Sequence, residues 1–394
     1  MRSTPRHEWT LGRRAALRLP PLGAAPLGPP VVTSVYYDVP GGRLAAADIT
    51  LLCRTGQGRS VWQLTLPVDG SPLDLEAEGP PSQPPLVLAA LLCAHLRHGS
   101  LEPVAELRST RLSEELNGAG GKDPSAQSPF EELRSRLRHQ LREIERNDPG
   151  TRLGRDPESL HDMRVAVRRL RALLRAGRKL VATDTGALDE RLKELGRVLG
   201  EVRDLDVLLE RLEAEASELP AGDARYGRSL LAAMRTERSC ARARLLGALR
   251  SDQYLALLDD TARTIETLEP SGSEITLDRL ADRAFAKLRN AVHELPDDPA
   301  DEELHAVRKA GKRARYAAEL ARRKEFVRQA KKLQDVLGEH QDAVVAAEQL
   351  RQLAVAATPE QALAAGRLVE REEQRRAEAR RTWQTAWLKL GETV

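Results

Sequence analysis

The sequence predicts an α+β protein that is mainly α, with a small N-terminal α+β domain followed by two pseudo-symmetric helical bundles. Three observations predict it. Ala, Leu, Arg and Glu dominate the C-terminal two thirds and aromatics are only 3% of the chain, a balance typical of helix bundles. β-Branched and aromatic runs are confined to the N-terminal part. A basic, histidine-led helix pattern occurs twice, as HDMRVAVRRLR (His161 to Arg171) and as HAVRKAGKRAR (His305 to Arg315). At 394 residues the chain is long enough for two or three domains with their own cores.

Two Pro-rich stretches, Pro20 to Pro30 and Pro72 to Pro85, interrupt the first domain, placed at residues 1–116. Between them VVTSVYYDV, DITLLCR and SVWQLTLPV are predicted strands, the last two joined by the turn-forming TGQGR. Leu86 to His98 is predicted helical and Val104 to Leu112 a further short strand. Residues 117–128 carry the Gly/Pro/Ser run NGAGGKDPSAQSP, which continues to Pro129, and are read as a linker. Residues 129–394 are predicted almost wholly helical. Pro129 suits a first helical turn. Breaks are expected at Asp148-Pro149-Gly150, Thr183 to Gly186, Pro220 to Gly222, Pro270 to Ser273 and Pro296 to Pro299, leaving roughly eight helices.

The duplication extends past the basic helices. LKELGRVLGEVRDLDVLL (Leu192 to Leu209) matches AKKLQDVLGEHQDAVVAA (Ala330 to Ala347), with Leu195, Leu199, Gly200 and Asp204 facing Leu333, Leu337, Gly338 and Asp342. The repeats span about residues 129–219 and 273–350. Each supplies a basic helix and then a helix carrying VLG-x-x-x-D.

At about 100° per residue, His161, Arg164, Arg168, Arg171 and Arg175 form one narrow stripe, as do His305, Arg308, Lys312 and Arg315. Beside them run Met163, Val167, Leu170 and Leu174, and Val307, Gly311, Ala314 and Ala318. Each helix can therefore bury one face with a row of cations along its edge, and no acidic partner is evident on either stripe. Rows of like charge repel, so two such rows point to a bound anion. A polyphosphate or phosphodiester suits them. Arg donates paired hydrogen bonds to phosphate oxygens, Lys adds a point charge, and a nearby anion favours the protonated imidazole. Steps of three and four residues advance about 5 Å along a helix, comparable to a phosphate repeat. Lys193, Arg197, Arg203, Lys331 and Lys332 on the second helices are candidates to extend the path. Asp204 and Asp342 are read as structural partners of Arg or as caps, and Gly200 and Gly338 as allowing close helix approach. His139, His293 and His340 have no repeat partner and are read as incidental.

Overall charge is small, +3, but segregated. Residues 152–179 hold nine Lys/Arg against three acids, and residues 305–332 eleven against two, which is a local field for polyanions. The stripes lack the paired carboxylates that would hold Mg²⁺ or activate water, so no catalytic residue, metal or cofactor is expected. Cys53, Cys93 and Cys240 are isolated, against a disulfide framework or zinc site. No apolar run is long enough for a membrane span, and prolines break any signal-peptide core. The cytoplasm is the expected compartment. Oligomeric state is left open.

On H-x-x-R-x-x-x-R-R-x-R at His161, its second version at His305, and VLG-x-x-R-D-x-D ending at Asp206, the region from Pro129 resembles the CHAD family, the conserved histidine α-helical domain. The resemblance implies two four-helix bundles around a basic channel that binds inorganic polyphosphate, often at polyphosphate granules. It implies binding roles for His161, Arg164, Arg168, Arg171, His305, Arg308, Lys312 and Arg315. Gln341 departs from it, standing where the first half has Arg203. The N-terminal region resembles part of a CYTH domain, the triphosphate-tunnel fold, through YYDVPGGRLAAADITLLCRTG and SVWQLTLP. Its departures are large. His7, Trp9 and Leu11 stand where that family's E-x-E-x-K strand belongs, Leu52 and Cys53 precede Arg54, Thr65 replaces a Lys, and no room remains for the second half of a tunnel. It is read as a degenerate remnant.

The reading is therefore non-catalytic binding of inorganic polyphosphate or another polyanion. A CYTH-type phosphohydrolase is disfavoured by the missing carboxylates. Nucleic-acid binding is disfavoured by the absence of a helix-turn-helix signature and of an aromatic platform near the stripes.

Overall fold

The structure, a computed structural model, describes residues 2–3, 32–56, 58–67, 72–97, 99–109 and 128–393. The expected opening strand near His7, Trp9 and Leu11 and the 117–127 part of the expected linker lie outside them. The chain divides into two compact units, Met1–Asp123 with Glu145–Ser159, and Pro124–Ile144 with Leu160–Val394.

Among the described residues the first unit holds a six-stranded sheet of β1 (Arg2–Ser3), β2 (Val32–Asp38), β3 (Thr50–Gly56), β4 (Arg59–Leu66), β5 (Leu73–Glu78) and β6 (Glu102–Ser109), in the order β1-β5-β4-β3-β2-β6. Every neighbouring pair is antiparallel. Alternation on β3 and β4 turns Leu51, Cys53, Trp62 and Leu64 to one face, where Leu88 of the short helix α1 (Leu86–Ala89) meets them together with Leu91 and Leu92 of the 3₁₀ turn (Ala90–Leu92) that leads into α2 (Cys93–Leu96). Trp62 is fully buried and its indole donates to the Pro80 carbonyl at 2.8 Å. β5 falls inside the stretch read only as Pro-rich. Its LDLEAE core has the required alternation, and the flanking prolines hid it.

Helix α3 (Pro129–Leu153) runs through the break expected at Asp148-Pro149-Gly150. A proline inside a helix leaves the carbonyl four residues earlier without its donor. Here that carbonyl belongs to Glu145, and the buried His95 imidazole donates to it. The Glu145 side chain pairs with Arg97, and Arg152 pairs with the fully buried Asp148 at 2.5 Å. The unit thus supplies from a distant segment the hydrogen bond that proline removes. Local propensity lost to tertiary contact.

The second unit is helical: α4 (Pro157–Ala176), whose first residues belong to the other unit, then α5 (Gly186–Ser217), α6 (Ala221–Leu230), α7 (Ala232–Leu249), α8 (Asp252–Glu266), α9 (Leu277–His293), α10 (Asp301–Leu320), α11 (Lys324–Val355) and α12 (Pro359–Gly391). The expected breaks at Thr183, Pro220, Pro270 and Pro296 all separate helices. Further breaks at Leu231, Arg250-Ser251, residues 321–323 and residues 356–358 lack a Gly or Pro and escaped notice. Several starts carry caps. Ser251, Thr276 and Thr358 accept from the backbone N–H groups of Tyr254, Arg279 and Gln361, and Pro359 follows Thr358 at the first helical position.

The duplication is visible in the helix lengths. α4 and α10 each have 20 residues, and α5 and α11 each have 32. Each long helix serves two cores. The N-terminal half of α11 packs with α9, α10 and the end of α12 around Phe285, Leu288, Val307, Leu333 and Trp383. Its C-terminal half joins that of α5, with α6 and the start of α12, around Leu212, Ala346, Leu350 and Leu368. α5 also packs against α7, paired through Arg238–Asp206 and Arg244–Glu201, and against α8, paired through Arg191–Asp260.

Candidate functional site

The two basic helices of the sequence are α4 and α10. Met163, Val167, Leu170 and Leu174 are buried on the first, and Val307, Gly311, Ala314 and Ala318 on the second. Burying these faces leaves His161, Arg164, Arg168 and Arg171 half-buried along one edge, and His305, Arg308, Lys312 and Arg315 half-buried along the other. Arg175, last in its row, is exposed.

The middles of the two rows meet. Burial first, and then the nearby Arg308, Arg168 and Arg164, push the Lys312 ammonium down to about 8. Burial also lowers Arg308, with Arg168 and Arg164 acting in the same direction and Asp342 and Asp204 opposing. Arg168 donates from Nε to the Tyr316 hydroxyl at 3.0 Å, and the Arg315 guanidinium lies 4.7 Å over the Tyr316 ring. Tyr316 therefore ties one row to the other. The stripe pattern gave no hint of it, although a tyrosine next to Arg315 inside an otherwise small-residue helix is an available signal.

The VLG-x-x-x-D helices carry the floor. A Cβ built on Gly200 would lie 3.8 Å from Arg164, and one on Gly338 would lie 3.8 Å from Arg308. Equivalent arginines thus lie over equivalent glycines in the two repeats. The aspartates have diverged. Asp204 binds Arg164 at 2.6 Å and is 70% exposed, whereas burial raises the Asp342 carboxyl and Arg308 opposes that rise.

The expectation that the stripes lack acidic partners is corrected at their ends. Asp189, from the start of α5, holds both Arg171 at 2.9 Å and Arg175 at 2.7 Å. Arg315 pairs with Glu319 at 2.7 Å and donates to Gln334 at 3.0 Å. Asp189 comes from another helix, which spacing along α4 could not show, whereas Glu319 lies four residues after Arg315 on the same helix and is a local signal. The outer cations are neutralised, and the unsatisfied field concentrates at Arg168, Arg308 and Lys312.

The extending residues divide. Lys193 and Arg197 are exposed and bound to acids on their own helix, Glu190 at 2.8 Å and Glu194 at 2.5 Å, the arrangement of a solvated helix face. Lys331 and Lys332 are exposed, and Arg203 is half-buried. Burial and then Lys309 lower the His305 imidazole, while a hydrogen bond with Gln341 opposes them. The residue that replaces Arg203 in the second repeat thus serves the repeat's own histidine. Of the histidines without repeat partners, His340 is buried with Nε2 3.1 Å from Asp301, while His139 and His293 are exposed. Among the described residues no group of three or more His, Cys, Asp or Glu could hold a metal ion, and no helix is long and apolar enough to cross a membrane.

A duplicated all-helical unit with paired Arg-over-Gly seats and a histidine heading each row defines a class, and comparison with known proteins gives its name. Residues 135–351 match the CHAD domain. The chain belongs to the CHAD family. It is 29% identical to the uncharacterized protein MT2285 of Mycobacterium tuberculosis strain CDC 1551 / Oshkosh and to the uncharacterized protein Rv2226 of strain H37Rv, covering 82% of each chain compared. Among solved structures it is similar to PptA from Streptomyces chartreusis (TM-score 0.57, 26% identity), covering 66% of this chain and 99% of that one. It is also similar to the CHAD domain from the plant Ricinus communis (TM-score 0.55, 29% identity), covering 67% and 92%.

Proposed function

We propose that this protein binds inorganic polyphosphate across the converging middles of its two basic rows, without turning it over and without a required metal. The observation that carries the reading is the convergence itself. Arg164 and Arg168 of one repeat stand in electrostatic range of Arg308 and Lys312 of the other, and they add to burial and Arg308 in pushing the Lys312 ammonium down to about 8. Half-buried cations held against one another are unfavourable alone and gain most from a multivalent anion. A flexible chain with one charge per repeat unit can engage cations of both rows at once. Membership of the CHAD family supports polyphosphate association at the level of the family.

The N-terminal sheet fits a remnant of a triphosphate-tunnel domain in this reading, with Thr65 donating to Asp74 at 2.6 Å where that family places a lysine. Location at polyphosphate granules in the cytoplasm belongs to the same proposal.

The test is binding of long-chain polyphosphate to the full chain across a salt series, with duplex DNA as competitor and the His161→Ala/His305→Ala double variant alongside. Tight, salt-sensitive binding that DNA cannot displace and that the variant weakens is expected. Equal binding of DNA, or an unaffected variant, would overturn the reading. Release of phosphate from polyphosphate with Mg²⁺ or Mn²⁺ would overturn its non-catalytic part.

A further inference from the structure

A cleft of about 520 Å³ opens in the helical unit among α3, α4, α10 and α11, and none of the row residues lines it. Its cations are Arg136, Arg169, Arg322 and Lys324, with His139, and its one lining acid is Glu319. Most of these charges are already matched. Glu132 holds Arg136 and Arg322, each at 2.7 Å, and Glu319 is occupied by Arg315. Arg169 and Lys324 enter no ion pair among the described residues, and Nε of Arg169 is buried without a hydrogen-bond partner. Both residues line the cleft, so these two cations are left for a bound anion to pair.

The remaining walls are Leu173, Val327 and Tyr316, with the side chain of Gln140 beside them. Small-molecule sites are commonly about 300–1,000 Å³ and combine an apolar lining with a few convergent polar groups. An inorganic phosphate chain has no apolar part to place there. We infer that this cleft is a second anion site, which takes a small organic phosphate of nucleotide size, its phosphate on Arg169 and Lys324 and its apolar body on Leu173 and Val327. The inference stands independently of the polyphosphate reading, since it uses none of the row cations.

The experiment is calorimetric titration of the full-length protein with ATP, tripolyphosphate and adenosine, without divalent metal. Wild type is compared with Lys324→Met, Arg169→Met/Lys324→Met and Arg164→Ala/Arg308→Ala. Lys324 is exposed, so its single variant cannot lose binding merely by unfolding. ATP is expected to saturate one site, adenosine not to bind, and tripolyphosphate to bind more weakly than ATP. Lys324→Met should weaken ATP severalfold and the cleft double variant at least tenfold, with long-chain polyphosphate changed less than twofold. The row variant should leave ATP binding in place. Absence of saturable ATP binding, or equal loss in the row and cleft variants, overturns the site. Equal affinity of the row variant for tripolyphosphate and ATP overturns the organic ligand.

Discussion

At the scale of single residues, Lys312 makes the site sensitive to pH. Its ammonium is pushed down to about 8 by burial and by Arg308, Arg168 and Arg164, with Asp342 opposing. An unfolded lysine titrates near 10.4, so between those values the unfolded chain holds the extra proton and stability rises with pH. Anion binding has the opposite sign. A polyanion raises the folded-state value, so binding near pH 8 takes up a proton and affinity falls as pH climbs through 8. Calorimetry in buffers of different ionisation enthalpy reads that uptake directly, and Lys312→Met should abolish it. His305, lowered by burial, predicts a further gain in affinity as pH falls through the histidine range. The rows themselves are tested by charge removal. Arg164→Ala/Arg308→Ala should weaken polyphosphate at least tenfold, while Arg263→Ala/Arg381→Ala, both strongly exposed and each paired with an acid on its own helix, should change it less than twofold.

At the scale of elements, the glycines of the two VLG segments separate packing from propensity. A Cβ at Gly200 or Gly338 meets the arginine above it at ordinary van der Waals distance. Alanine is better than glycine in a helix by about 1 kcal/mol. Gly200→Ala and Gly338→Ala should therefore raise the melting temperature with binding unchanged. Leucine at either position should lift the guanidinium and weaken binding severalfold. Helix α3 offers a second test. His95→Ala leaves the Glu145 carbonyl beside Pro149 without its donor and should cost about 1–3 kcal/mol in a denaturant melt. The α4 and α10 stripes and the matching second helices were legible in the sequence, because helical periodicity is local information. Passage of α3 through Pro149 was not, because its compensation comes from His95, far away in the chain. Tyr316 and Asp189 were missed for the same reason. Each completes a stripe from outside the stripe's own repeat pattern, and no periodicity announces a partner on another helix.

At the scale of the whole molecule, the salt dependence distinguishes a multivalent site from scattered charge. Four cations, Arg164, Arg168, Arg308 and Lys312, each neutralising one phosphate of a single strand, predict a log–log slope of about −3 for binding against salt. A slope of about −1.4 would mean that only one row, with two cations, is engaged. The mainly α fold and its duplication were readable from composition and motif repetition. Convergence of the two rows required the structure, since the repeat alone does not say how two halves of a chain are placed. The twofold occurrence of an arginine above a glycine also bears on the kind of polymer that fits. A strand of DNA or RNA runs 5′ to 3′ and looks different when turned around. A string of orthophosphates reads the same from either end. On the proposed reading, an arginine seat in each repeat lets such a polymer engage in either heading.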